Sequence, residues 1–114
     1  MTRIVILGAG YDDRALRFRS PGARFIEVDH PATQGDKRAR LTAMGAHDDV
    51  TLAPGDFTHD DIDGVLDRAG HDPDRASLFI CEGLLAYLDQ PTIVRLLHGL
   101  RALAHAGSVL SASL

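Results

Sequence analysis

Short apolar runs alternate along the chain with longer stretches of helical periodicity. Residues 3–7, Arg3-Ile4-Val5-Ile6-Leu7, form a β-branched run closed by Gly8-Ala9-Gly10, the pattern of a buried strand. Helix formers fill 11–19 and end at Ser20-Pro21-Gly22, a strong breaker. Residues 24–28, Arg24-Phe25-Ile26-Glu27-Val28, predict a second strand stopped by Asp29-His30-Pro31. Pro31 suits the first turn of a helix, where its absent N–H would have no partner, and that helix runs to about Met44 before Gly45. Residues 50–53 predict a third strand ahead of Pro54-Gly55-Asp56. Thr58, with Asp61 three positions on, has the form of a capping box with aspartate in place of glutamate. Behind it, Ile62, Val65, Leu66 and Ala69 share one helical face up to Gly70.

Residues 77–81, Ser77-Leu78-Phe79-Ile80-Cys81, make a continuous apolar run, as expected of a strand covered on both faces. The clearest helix spans 89–105, with Ile93, Leu96, Leu97, Leu100, Leu103 and Ala104 on one stripe that reads as core. Gly107 leads into a fifth strand, Ser108-Val109-Leu110-Ser111. Strands separated by helical segments pair in parallel through right-handed crossovers, so the pattern predicts an open α/β sheet with helices on both faces. No repeat or linker divides the chain, and residues 1–114 read as one folding unit.

Composition narrows the class. Hydrophobic residues make up 45% and charged residues 25%, which excludes a disordered chain. No apolar run approaches the roughly 18 residues that a spanning helix needs, and the run before Gly8 is too short for a signal peptide. The single cysteine, Cys81, excludes an internal disulfide and fits a reducing cytoplasm. Twelve Lys and Arg against sixteen Asp and Glu leave a net charge of −4, which disfavours a broad nucleic-acid surface and favours small-molecule partners.

Ligands of open α/β sheets sit beyond the carboxyl ends of the strands, where strand order reverses. The four tips there carry Gly8-Ala9-Gly10, Glu27-Val28-Asp29, Gly55-Asp56-Phe57 and Glu82-Gly83. Gly8 and Gly10 permit a tight turn and close approach of backbone to a ligand. A dinucleotide fingerprint wants a further glycine at position 13, where Asp13, beside Asp12, would repel a pyrophosphate; a nicotinamide cofactor is therefore the weaker reading. Asp29 stands 21 positions after Gly8, the spacing of an acid that meets a ribose, although it could equally cap the helix at Pro31. Glu27 alternates with Asp29, so both can face one side. Asp56 can take an adenine amino proton while Phe57 covers the base; the plain alternative is a turn aspartate. Glu82 ends an apolar strand with no basic residue nearby in sequence, where a charge calls for a cationic partner. Four acids around one crevice suit a cationic, hydroxyl-rich ligand without phosphates, and S-adenosylmethionine has those properties.

Other motifs carry less. No C-x-x-C or H-E-x-x-H spacing occurs, so no metal site is expected, and the acidic run at 60–64 lacks the first and twelfth ligands of a calcium loop. Cys81 reads as a buried small hydrophobe and the serines at 108, 111 and 113 lack a nucleophile elbow.

Taken together, Ile6-Leu7-Gly8-Ala9-Gly10-Tyr11-Asp12-Asp13-Arg14, Phe25-Ile26-Glu27-Val28-Asp29-His30-Pro31, Lys37, and Cys81-Glu82-Gly83-Leu84-Leu85-Ala86-Tyr87-Leu88 resemble the leucine carboxyl methyltransferase family. The resemblance runs through nearly the whole chain. It implies a Rossmann-like class I methyltransferase core that uses S-adenosylmethionine for O-methyl transfer. By position it implies that Gly8, Ala9 and Gly10 form the turn beside the cofactor and that Asp29 holds the ribose. It further implies that Asp56 with Phe57 frames the adenine and that Glu82 lies near the methionine part. Asp13 departs from the family's usual threonine, and Phe57 from its usual leucine. Family members also carry an arginine-bearing helical segment before the glycine turn and elements after the fifth strand. The expectation is a cofactor-binding half, with a silent cofactor-binding remnant as the alternative. Its uncovered sheet edges would give weak stability or self-association.

Overall fold

The computed structural model describes residues 2–10, 15, 22–45 and 50–113. Its strands are β1 (Thr2–Leu7), β2 (Ala23–Asp29), β3 (Thr51–Pro54), β4 (Leu78–Cys81) and β5 (Val109–Ala112). All pair in parallel, in the order β3-β2-β1-β4-β5. Among the described residues, three α-helices lie between them: α1 (Pro31–Ala43), α2 (Ile62–Arg68) and α3 (Gln90–Leu103), with a 3-10 turn at Leu85–Tyr87. The helix expected over 11–19 lies outside the described residues except at Ala15, which is helical and buried.

The most apolar strand takes the centre. Val5, Ile6 and Leu7 of β1 are all essentially inaccessible, because β1 has neighbours on both edges and side chains packed on both faces. On one face Val5, Leu7, Val28, Ala53, Phe79 and Cys81 meet Ile62, Val65 and Leu66 of α2 and Leu96 and Leu100 of α3. On the other, Ile6 and Phe25 meet Ala15 and Leu41 of α1. Helices therefore cover both faces, as the pattern predicts.

Two burial expectations need correction. β4 is not covered equally on its two faces: Phe79 and Cys81 are buried beneath α2 and α3, while Leu78 and Ile80 are half-buried. On that second face α1 packs over β3, and Ile80 lies at the margin of the cluster. Nor is the whole α3 stripe core. Leu96 and Leu100 are buried, but Leu97 is 36% exposed and shares a shallow apolar groove with Val109 and Leu110 of β5.

α3 also contains Gly99, a residue that costs about 1 kcal/mol inside a helix. A Cβ there would stand 2.4 Å from Ile62 Cγ2, so the glycine lets α2 and α3 approach closely. α3 starts on a side-chain cap, the Thr92 N–H donating to Asp89 Oδ1 at 3.0 Å. The expected Thr58–Asp61 capping box does not form. Asp61 precedes α2 without a side-chain cap bond, and Thr58 lies in a separate turn closed by Asp60 N–H donating to Asp56 O. The ionised Asp56 is the stronger acceptor, and it takes the Thr58 donors.

No helix among the described residues is long and apolar enough to cross a membrane.

Candidate functional site

The chain steps from β1 outward through β2 to β3, then returns to lay β4 against the other edge of β1. Strand order thus reverses between β1 and β4. Register sets what meets there. Ile6 pairs with both Glu27 and Ile80, so two positions further on Gly8, Asp29 and Glu82 stand at one level along the carboxyl rim. Glu27 pairs with Leu52, so Pro54 shares that level and Asp56 lies two positions beyond it.

Asp29 holds the rim together. Its Oδ2 accepts the Gly10 N–H at 2.6 Å and its Oδ1 accepts the His30 N–H at 2.7 Å. Gly8 N–H donates to Val28 O at 2.8 Å, which folds the glycine turn back over β2. Gly8 and Gly10 both have positive φ, at 68° and 53°, a region that side chains other than glycine enter at a cost. Gly8 is also crowded: an added Cβ would lie 3.1 Å from Leu84 Cδ1, so the segment after β4 packs directly on the turn after β1. Ala9 tucks its methyl group into the α1-side core. The capping alternative for Asp29 is set aside, because His30 caps α1 through Nδ1, accepting from Ala32 N–H at 3.1 Å.

Glu27 shares a face with Asp29 but does not join the crevice. It is buried and ion-paired with Lys37 of α1, itself mostly buried. The count of four rim acids is corrected to three, because an ionised carboxylate in an apolar sheet is tolerated only with a counter-charge. Gln34, one turn before Lys37, donates to Glu27 O at 3.0 Å and Ala53 O at 3.3 Å, tying α1 to β2 and β3. The sequence signal for this brace is Gln34, Lys37 and Leu41 at helical spacing, the buried stripe of α1.

Asp56 is mainly a turn aspartate. Its Oδ1 accepts Thr58 N–H at 3.0 Å and Thr58 Oγ1 at 2.7 Å, and His59 Nδ1 lies 2.9 Å from Oδ2. The two Thr58 hydrogen bonds, with the His59 contact, pull its carboxyl down to about 2. A carboxylate has about four acceptor positions, so one remains for a ligand. Phe57 is half-buried on the α2 core and its carbonyl accepts Arg95 Nη2 at 2.9 Å. Val28, Gly55, Asp56, Phe57 and Val65 line a small hollow beside the rim. Glu82 is exposed at the tip of β4, and Gly83 behind it has open space where a Cβ would stand. Burial raises the Cys81 thiol, which suits its role as packing beneath the rim. Asp12 and Asp13 lie outside the described residues.

The sequence profile of the leucine carboxyl methyltransferase family matches residues 1–101. The chain belongs to this family. A protein of Frankia alni, provisionally named an S-adenosyl-L-methionine-dependent methyltransferase, is 40% identical over 110 residues. That match covers 93% of this chain but 38% of the Frankia alni protein, so the chain spans well under half the length of this curated relative. Among solved structures, the mitomycin 7-O-methyltransferase MmcR superposes with a TM-score of 0.70 at 24% identity, covering 96% of this chain and 30% of its own. The glycopeptide N-methyltransferase MtfA, complexed with S-adenosyl-L-methionine, gives a TM-score of 0.69 at 18% identity and covers 96% of this chain and 46% of its own. These superpositions establish the Rossmann-like fold of methyltransferases for the chain.

Proposed function

We propose that residues 1–114 form the S-adenosylmethionine-binding core of an O-methyltransferase whose acceptor is a carboxylate or hydroxyl on a small molecule or a peptide C-terminus. One observation carries the reading: Asp29 draws the glycine turn of β1 onto the tip of β2, level with Glu82 across the point where strand order reverses. The residues fit the cofactor. Each Asp29 oxygen accepts one N–H and keeps a lone pair for a ribose hydroxyl. The backbone at Gly10 and Gly83 is open to close approach, since among the described residues a Cβ at Gly10 would meet Asp29 at 4.0 Å and one at Gly83 nothing within 4 Å. Glu82 supplies negative charge for a positive sulfur or an amine, and the hollow at Asp56 and Phe57 borders the place for the base.

When bound, the cofactor supplies an activated methyl group. The chain's part is to orient it: Asp29 fixes the ribose, the glycine turn sets its depth, and Glu82 draws the charged end toward β4. A carboxylate acceptor is nucleophilic at neutral pH and requires no general base, so catalysis by positioning suffices and no catalytic residue is assigned. Family membership and the names of the relatives support the same reaction class.

Calorimetry with S-adenosylhomocysteine tests the site. Wild type is expected to bind, and Asp29→Ala to bind at least about tenfold more weakly through loss of charged hydrogen bonds. Far-ultraviolet spectra confirm that the variant is folded. Equal affinity of the two proteins overturns the assignment, and saturable NADH fluorescence would transfer the site to a nicotinamide cofactor.

A further inference from the structure

A cavity of about 390 Å3 lies at the opposite end of the sheet from the rim. Its walls come from the amino-terminal ends of three neighbouring strands, with Arg3 of β1, Arg24 of β2 and Thr51 of β3, and from the segment after α2. Arg3 alternates with Val5 and Arg24 with Ile26, so both arginines stand on the α2 side of the sheet. The segment after α2 adds His71, Asp72 and Arg75.

Three arginines therefore contribute to the lining of one cavity, and among the described lining residues a single carboxylate opposes them. That carboxylate, Asp72, is engaged with Arg75 at 3.4 Å. Arginines stay charged at any physiological pH, so three of them around one cavity give it a positive potential that favours an anion. Two further observations point the same way. Arg3 Nε and His71 Nε2 are each shut off from solvent without a hydrogen-bond partner, although buried polar atoms almost always have one. His71 is 7% exposed and held in place by its N–H donating to Leu66 O and by ring contact with Phe79. Apolar walls from Ile4, Ile26 and Ala69 complete the cavity, whose volume falls at the lower end of the range for small-molecule sites.

We propose that this cavity binds a small phosphomonoester, with the phosphate held by Arg3, Arg24 and Arg75. Guanidinium forks match phosphate oxygens in pairs, which a lone ammonium cannot do. His71 Nε2, in its protonated tautomer, donates to the same group, and the apolar walls receive the organic body. The site is independent of the cofactor rim: it stands at the other end of the strands and shares no residue with the rim.

Ribose 5-phosphate serves as the probe, titrated into the 114-residue chain by calorimetry with ribose and inorganic phosphate as parallel arms. Expected is saturable binding of ribose 5-phosphate, none of ribose, and weaker binding of inorganic phosphate. Arg24→Gln and Arg75→Gln, both at exposed positions, should each weaken it at least about tenfold. Arg101→Gln, on the exposed face of α3, should leave it unchanged. The imidazole resonances of His71 should shift on saturation, and S-adenosylhomocysteine affinity should be the same in all variants. Lack of saturation, equal weakening by Arg101→Gln, or an unmoved His71 overturns the proposal. Inorganic phosphate binding as tightly as the ester overturns its organic part.

Discussion

Asp29 and Asp56 stand at or beyond neighbouring strand ends, on similar-looking stretches of sequence, and they are built in opposite ways. Asp29 reaches across 19 positions to the Gly10 amide, so its geometry exists only once β1 and β2 are paired. Asp56 spends most of its acceptor capacity on Thr58 and His59, within three residues of itself. The first acid is placed by the sheet, with one N–H bound to each of its oxygens. The second is a self-contained turn whose carboxyl is already held low by its own neighbours. An acid at a strand tip is thus evidence of a ligand only when its partners are distant in sequence, because a local turn satisfies an aspartate without any help from the fold.

The most severe way to break the comparison acts beneath Asp29. Lys37→Met removes the ammonium paired with buried Glu27, two residues before Asp29, and should cost about 3–5 kcal/mol in denaturant unfolding. Adding Glu27→Leu should recover most of that loss, since a buried pair replaced by apolar residues is often neutral. A single-variant cost below about 1 kcal/mol would mean that the pair behaves like a surface one and braces nothing.

A smaller effect is expected at the turn itself. Gly8→Ala forces a side chain into positive φ, worth about 1–2 kcal/mol, and presses on Leu84 as well. Gly10→Ala carries the first cost, because among the described residues its Cβ would meet Asp29 at an ordinary 4.0 Å. Thermal midpoints should therefore fall further for Gly8→Ala, and equal midpoints would show that the β4 segment does not press on the turn.

The mildest change sharpens the contrast from the Asp56 side. Thr58→Val deletes one of two Thr58 bonds and should raise the Asp56 carboxyl from about 2 toward its ordinary 3.8, read by carbon NMR titration. Because folding lowers this group, its stabilising effect is complete above the ordinary value and fades as pH falls toward about 2. The variant should lose only that acid-range contribution, with the Asp29 resonance unmoved. A shift at Asp29 would join the two acids into one network and dissolve the distinction.

Much of the fold was legible in the sequence because periodicity reports burial. The run at 3–7 could only be a buried strand, and Pro31, Gly45 and Gly70 mark helix ends for local steric reasons. Capping was less legible. Thr58 satisfies the capping pattern in sequence, yet the ionised Asp56 two residues earlier takes its donors. His30, which looks like a linker residue, supplies the cap of α1 instead. Such local competitions between neighbouring donors and acceptors leave no periodic signature.

By itself the chain's order of apolar and polar residues determined the alternation of strands and helices, the parallel sheet, and a rim bearing glycine and acid. These follow from local propensity and from the burial that each period implies. Only the tertiary structure decided which acids face the rim. Strand register brought Gly8, Asp29 and Glu82 level, while α1 delivered Lys37 to Glu27 and withdrew that acid into the interior. The same packing gathered Arg3, Arg24 and Arg75, distant in sequence, around one cavity. Charge at a given position is written in the chain, but its neighbours in space depend on pairing and packing, which no local pattern contains.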